Sequence, residues 1–281
     1  MISCMSDEKQ KIRFIICYFG EWPIWFDGFL LSCKYNPDIN WLFFTDCKLP
    51  NNYPTNVKFI RCSIDFISRL ASRKLQYNLN FKLAKPYKLC DLRPAYGLVF
   101  EDYIKGYDFW GFSDIDIIFG NIKNYITNAM LKDYDIISSR KKNISGHFSL
   151  FKNNQKVKSI FRKMPNFENY LTQLKHHCLD EIALTAYLKE NIRTYKVGWN
   201  EWLVNFPSEI SEKRKLPSLL NSDDGPWYWK HGKLSIGSEE VMYLHFQSWK
   251  NSIKNINFKY KDQVESFYIN NIEMICYNKN T

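Results

Sequence analysis

Two aspartates one residue apart, Asp114 and Asp116, interrupt the apolar run Trp110-Gly111-Phe112-Ser113-Asp114-Ile115-Asp116-Ile117-Ile118-Phe119-Gly120. A carboxylate in such surroundings is costly unless it is paired or bound to a cation. In an extended segment, residues two apart face the same side, so both carboxylates point one way and Ile115 the other. Hard oxygen donors so placed suit Mg2+ or Mn2+, and such a cation neutralises a diphosphate. The plainer alternative is an Asp pair that opens a turn and caps a helix starting near Asn121.

A pair of this kind needs a strand that ends where the chemistry is, and the residues before it read as one. Tyr107 to Phe112 is aromatic and apolar, and Gly106 and Gly120 bracket the segment. Earlier runs repeat the pattern. Lys11 to Gly20 is an apolar stretch closed by glycine, Asn40 to Asp46 an apolar stretch closed by Thr45-Asp46, and Val57 to Cys62 a third short strand. Between the first two, Phe26, Phe29, Leu30 and Cys33 recur at helical spacing.

Strands alternating with helices imply an α/β fold with a mostly parallel sheet and helices on both faces. In such sheets the carboxyl ends of the strands form the ligand crevice, so Tyr18 to Gly20, Thr45-Asp46 and Asp114 to Asp116 should meet on one rim. Further strands are expected at Tyr134–Ser139, His147–Phe151 and Val241–Phe246, a hairpin at 226–236, and helices at Gln155–Met164 and Leu179–Glu190. Lys82, Lys85 and Lys88 lie three apart and can share a solvated face, although Pro86 opposes a continuous helix.

The whole chain has 281 residues, 45% hydrophobic and 17% aromatic, a composition that excludes a disordered protein. No low-complexity linker divides it, so a single domain is expected. Its parts would be a nucleotide-binding half over 11–125, a second half over 126–250 and a small β-containing C-terminal extension over 251–281. The net charge of +10 suggests an anionic partner. Lysines are spread along the chain and form no basic arm, so nucleic acid is not the expected partner. The eight cysteines contain no C-x-x-C pair, which argues against zinc-ribbon or redox chemistry. No run approaches the roughly 18–20 apolar residues of a membrane span. The first residues are too polar for a signal peptide. The expected location is the cytoplasm, with any membrane contact peripheral and at the inner face.

Two segments carry a family resemblance. Lys85-Pro86-Tyr87-Lys88-Leu89-Cys90-Asp91-Leu92-Arg93-Pro94-Ala95-Tyr96-Gly97, and Asp108 through Asp114-Ile115-Asp116 to Gly120, resemble bacterial glycosyltransferase-like proteins of surface-polysaccharide (capsule or O-antigen) gene sets. Asp114-Ile115-Asp116 is similar to the D-x-D motif of GT-A glycosyltransferases. The resemblance covers about residues 12 to 155 well and the remainder loosely. It implies a GT-A-like fold and transfer of a sugar from a nucleotide-sugar, with UDP as the expected nucleotide, to a glycan or lipid-linked acceptor.

The same resemblance implies site roles. Asp114 and Asp116 would hold Mn2+ or Mg2+. Leu244-His245-Phe246-Gln247-Ser248-Trp249-Lys250 looks like the late element that supplies a histidine ligand, His245, and a phosphate contact, Lys250. Tyr18, Phe19, Gly20, Thr45 and Asp46 match positions that cradle the nucleoside. Lys88, Asp91 and Ser113, within the family-like segments, would contact the donor, with Arg93 pairing to an acid as scaffold. Gly146 to Ser149 resembles the loop facing the transferred sugar, and Asp180 or Glu181 would be the acceptor-side catalytic carboxylate. Each role has a structural alternative: a core histidine for His245, turn or core positions for the nucleoside residues, and first-turn helix carboxylates for Asp180 and Glu181. Two other functional classes remain open, a metal-dependent nucleotidyl- or phosphoryl-transfer enzyme and a non-catalytic glycan-binding protein.

Overall fold

A computed structural model of the chain describes residues 9–84, 86–200, 202, 226–262 and 264–277. Lys85, expected on a lysine face, lies outside the described residues. The strands are β1 (Ile12–Cys17), β2 (Ile39–Thr45), β3 (Val57–Arg61), β4 (Phe109–Ser113), β5 (Ile117–Phe119), β6 (Ile136–Ser138), β7 (Phe148–Lys152) and β8 (Val197–Trp199). In the last part of the chain come β9 (Trp227–Lys230), β10 (Lys233–Ile236), β11 (Glu239–Val241), β12 (Tyr243–His245), β13 (Asn255–Ile256), β14 (Ser266–Ile269) and β15 (Glu273–Cys276).

Seven strands form the main sheet in the order β3-β2-β1-β4-β7-β6-β8. β1 pairs in parallel with β2 and with β4, β2 with β3, and β6 with β8, whereas β7 runs antiparallel to β4 and β6. The fold is therefore mixed α/β, as the alternation of apolar strands and helices implies. β1 and β4 read as continuous apolar runs because they are central and covered on both sides.

Each sheet face carries its own apolar cluster. One packs Ile15, Phe44, Trp110 and Phe112 under helix α2 (Ile64–Leu75) and the segments around Leu92, Phe161 and Leu184. The other packs Phe14, Phe43 and Phe148 under helix α1 (Phe26–Lys34). α2 starts where Ser63 accepts the Phe66 amide and stops at Gln76, whose φ of +63° leaves the helical path. After it, residues 86–95 coil as a 3-10 segment where Pro86 and Pro94 prevent a regular α-helix.

The C-terminal strands form a second, six-stranded sheet in the order β11-β10-β9-β14-β15-β13. It begins at Trp227 and not at residue 251, because the hairpin β9–β10 pairs with β14 through Trp229 and Phe267. Its inner face packs Trp227, Trp229, Leu234 and Phe267 against Trp25, Leu31 and Ile118. Between the sheets, β12 pairs antiparallel with β5 and sets His245 opposite Ile117. Among the described residues, no helix is long and apolar enough to cross a membrane.

Candidate active site

The carboxyl ends of β1 and β4 open into a cleft of about 320 Å3. Tyr18, Phe19, Tyr87, Arg93, Ser113, Asp114, Asp116 and Lys250 are on its walls. The Asp114 amide continues the β4–β7 ladder by donating to the His147 carbonyl at 3.0 Å. Ile115 is buried in the α1-side core, and its carbonyl accepts the Trp25 indole N–H at 3.1 Å. That anchor turns the two flanking carboxylates into the cleft. The helix-cap alternative does not describe them. The next helical turn is the 3-10 segment Ile122–Asn124, and its first residue lacks a side-chain cap.

His245 comes to the pair on β12, where the Phe246 amide donates to the Asp116 carbonyl at 3.0 Å. Its Nε2 lies 3.4 Å from one Asp116 carboxylate oxygen and 3.9 Å from one of Asp114. The Lys250 ammonium sits 2.7 Å from the same Asp116 oxygen. Asp116 is 2% exposed, and burial alone would raise its pKa. His245 and Lys250 outweigh that and hold the carboxyl below its usual range.

Asp114, Asp116 and His245 each offer a ligand atom within 4.8 Å of one another. Two carboxylates suit Mn2+ or Mg2+, and the imidazole favours Mn2+, so the donor set suits the cation that the D-x-D resemblance implies. Ser113, one residue earlier, adds a buried hydroxyl on the cleft wall with no hydrogen-bond partner among the described residues. An unsatisfied buried hydroxyl costs free energy, and a ligand's polar group in the cleft would recover it.

Arg93 ties this pair to Asp180 and the 145–147 loop. Its guanidinium reaches Asp114 at 2.6 Å, Asp180 at 3.0 Å and the Gly146 carbonyl at 2.7 Å. Its partners are thus Asp114 and Asp180, while Asp91 pairs elsewhere. Burial is the largest influence on Asp180 and pushes its carboxyl up to about 7, against the pull of Arg93. Glu181 accepts the Gly146 amide at 2.8 Å. Both carboxylates close on Gly146, where an added Cβ would stand 3.0 Å from each, so a larger residue would have to push both carboxylates aside by a few tenths of an ångström. Asp180 and Glu181 therefore hold the 145–147 loop and Arg93, and neither is among the side chains lining the cleft.

That loop places an imidazole behind the metal-ligand candidate. His147 stacks on His245 with ring centroids 4.2 Å apart and planes 15° apart. Its two nitrogens engage the Ser145 hydroxyl at 2.9 Å and the Tyr243 hydroxyl at 2.8 Å. Full burial drives its pKa well below the ordinary histidine value, so the ring is neutral. A neutral, doubly hydrogen-bonded ring fixes the orientation of His245 without adding positive charge beside a cation. His147→Ala should weaken Mn2+ binding by roughly 10–100-fold, the usual effect of losing a ligand's supporting group. Titration calorimetry of the variant against wild type measures this, and equal affinities would leave His147 with a packing role only.

Four donor candidates have other uses. Lys88 is 2% exposed and pairs with Asp91, 0% exposed, at 2.9 Å. Its ammonium also donates to the carbonyls of Tyr170 and Lys175, while Asp91 accepts the amides of His177 and Leu179. Both are off the cleft wall and clamp 170–179 to the 3-10 segment, because buried charges must find partners. Thr45 is buried and accepts the Cys47 amide at 3.1 Å. Asp46 is exposed and accepts the Gly20 amide at 2.7 Å, fixing a turn in which Gly20 has φ +108°. Tyr18 and Phe19 remain on the wall, with the Tyr18 ring stacked on Trp22 at 5.3 Å.

The fold and cleft define an α/β protein with a carboxylate–imidazole site at the strand ends, flanked by a lysine and an arginine. The chain belongs to the family described as "Family of unknown function (DUF6625)", which its residues 14–278 match. No curated protein matches it in sequence. Among solved structures it is similar to galactosyltransferase LgtC in complex with donor and acceptor sugar analogs. The identity is 11%, the coverage 84% of this chain and 87% of that one, and the TM-score 0.43. Mouse xyloside xylosyltransferase 1 in its apo form is 8% identical, with 84% and 98% coverage and a TM-score of 0.43. The glycosyltransferase GlyE of Streptococcus pneumoniae is 8% identical over 68% of this chain and 45% of that one, with a TM-score of 0.34.

Proposed function

We propose that the protein is a metal-dependent glycosyltransferase of GT-A type that takes a sugar from a nucleotide-sugar, a UDP-sugar in the first instance. The observation that carries this reading is the convergence of Asp114, Asp116 and His245 within 4.8 Å at the mouth of β4. These three residues would hold Mn2+ or Mg2+, which when bound neutralises the charge of a leaving diphosphate. Lys250, half exposed and beside Asp116, is placed to pair with a phosphate oxygen. Tyr18 and Phe19 offer aromatic surface to a base at the end of β1, and the Ser113 hydroxyl offers a hydrogen bond. Arg93 joins Asp114 to Asp180 and the Gly146 carbonyl and so braces the diphosphate end of the cleft against the 145–147 loop.

The acceptor in this proposal is a glycan or lipid-linked glycan of bacterial surface-polysaccharide synthesis, reached from the cytoplasm at the inner membrane face. The family-like segments at 85–97 and 108–120 support that setting. A thermal-shift screen of nucleotide-sugars with and without Mn2+ tests the reading. A donor at about 100 times its Kd adds about 2.7 kcal/mol to stability. The expected result is a higher melting temperature with a UDP-sugar only when metal is present. If no nucleotide-sugar stabilises the protein under either condition, the donor assignment is wrong.

A further inference from the structure

The outward face of the C-terminal sheet carries a second group of residues suited to binding. Along β9, Trp227 and Trp229 point into the core, which leaves Tyr228 and Lys230 outside. On β10, Leu234 and Ile236 are buried while Lys233 is exposed and Ser235 half-buried. The antiparallel register sets Lys230 directly opposite Lys233 and Tyr228 opposite both Ser235 and Tyr268. Like charges directly opposite on neighbouring strands are destabilising. Among the described residues neither ammonium has a salt-bridge partner, and the nearby Glu265 faces His231 at 3.8 Å.

Aromatic surface lies beside this uncompensated charge. Tyr228 is 41% exposed and meets the Tyr277 ring edge-on at 5.8 Å, while Tyr268 lies 6.5 Å from Tyr277. Tyr228, Lys230, His231, Lys233, Ser235 and Tyr277 line a groove of about 400 Å3. The cleft at Asp114 and Asp116 shares none of these residues. The hairpin turn is fixed by His231 at φ +46° and Gly232 at φ +80°, so both lysines are held at its mouth.

We propose that this groove binds an anionic saccharide chain, with the Lys230–Lys233 pair on a carboxylate or sulfate and the tyrosine rings against the sugar faces. The two kinds of contact sit where one chain can use both. Ammonium groups form charge-assisted hydrogen bonds to an acidic substituent. Tyrosine supplies rigid amphipathic area at little entropic cost. The anion relieves a repulsion that the strand register otherwise imposes. This site is independent of the donor cleft, and saccharide binding here requires no turnover.

The test uses the full chain and a panel of oligosaccharides: galacturonate, hyaluronan and heparin fragments, with a neutral maltooligosaccharide and an oligo-dT as controls. Calorimetry should find binding of at least one acidic fragment, weakened by raised salt and absent with the neutral chain. Lys230→Gln with Lys233→Gln should weaken it by roughly tenfold or more, and Tyr228→Ala by a similar factor. The same Lys233→Gln change should leave the melting temperature unchanged or raise it, because the repelling pair is gone. Asp116→Asn should leave the affinity as it is, which separates this site from the cleft. Absence of binding by every acidic fragment, equal binding of oligo-dT, or affinity unmoved by the lysine and tyrosine variants would overturn the proposal.

Discussion

Asp116→Asn is expected to abolish metal-stimulated donor turnover while the protein stays folded. The carboxylate it removes is the one on which Nε2 of His245 and the Lys250 ammonium converge. A divalent cation in such a site supplies several kcal/mol of charge stabilisation, and each ~1.4 kcal/mol is a factor of ten in rate. A loss of about a thousandfold follows if the cation is no longer held. The amide keeps the carboxylate's shape, and Lys250 is exposed enough to be solvated when its partner becomes neutral. Release of the nucleotide from a UDP-sugar with Mn2+, beside a thermal melt of the same sample, separates chemistry from folding. Transfer at the wild-type rate by this variant in the presence of a chelator would sink the metal assignment.

Lys88→Met is expected to act on the fold and leave the donor site alone. It strands the fully buried Asp91 carboxylate, which among the described residues keeps the His177 and Leu179 amides and the His176 imidazole at 3.5 Å but no ammonium. Breaking a buried pair on one side costs about 3–5 kcal/mol. At roughly 2–4 °C per kcal/mol for chains of this size, the melting temperature should fall by on the order of 10 °C. Adding Asp91→Asn should return part of that loss, since no charge is then left unpaired, although the two backbone amides donate to different carboxylate oxygens and a single amide oxygen keeps only one of them. The coupling between the two changes, measured as a double-mutant cycle, is the test. A single variant that melts like wild type but loses donor affinity would restore Lys88 to the ligand role expected from its neighbours.

These two residues show how the sequence is legible in one respect and opaque in another. The strands β1, β2 and β4 are legible because a strand covered on both faces has few polar positions to dilute the pattern. Asp114 and Asp116 stand out against that background for the same reason. Lys88 and Asp91 look like site residues because they are charges in a family-like segment. Residues three apart eclipse on a 3-10 turn, however, and the prolines at 86 and 94 favour such a turn, so their pairing was also present in the spacing. His147 and Arg93 gave less local warning. Their partners are His245, Asp114 and Asp180, and only the sheet order and the β5–β12 pairing bring these together. One clue existed. Tyr243 and His245 are two apart on a strand and share a face, and His147 engages both.

The β5–β12 ribbon also has a bearing on how the protein is made. Asp114 and Asp116 leave the ribosome with the central strands, but their imidazole partner arrives only with β12, late in the chain. Contacts between such distant segments carry a loop-closure cost and form late. A growing polypeptide can thus complete its main sheet before the three-residue ligand set exists. The proposed cation site would then have to wait for β12, so a chain cut before that strand carries the carboxylates without the imidazole.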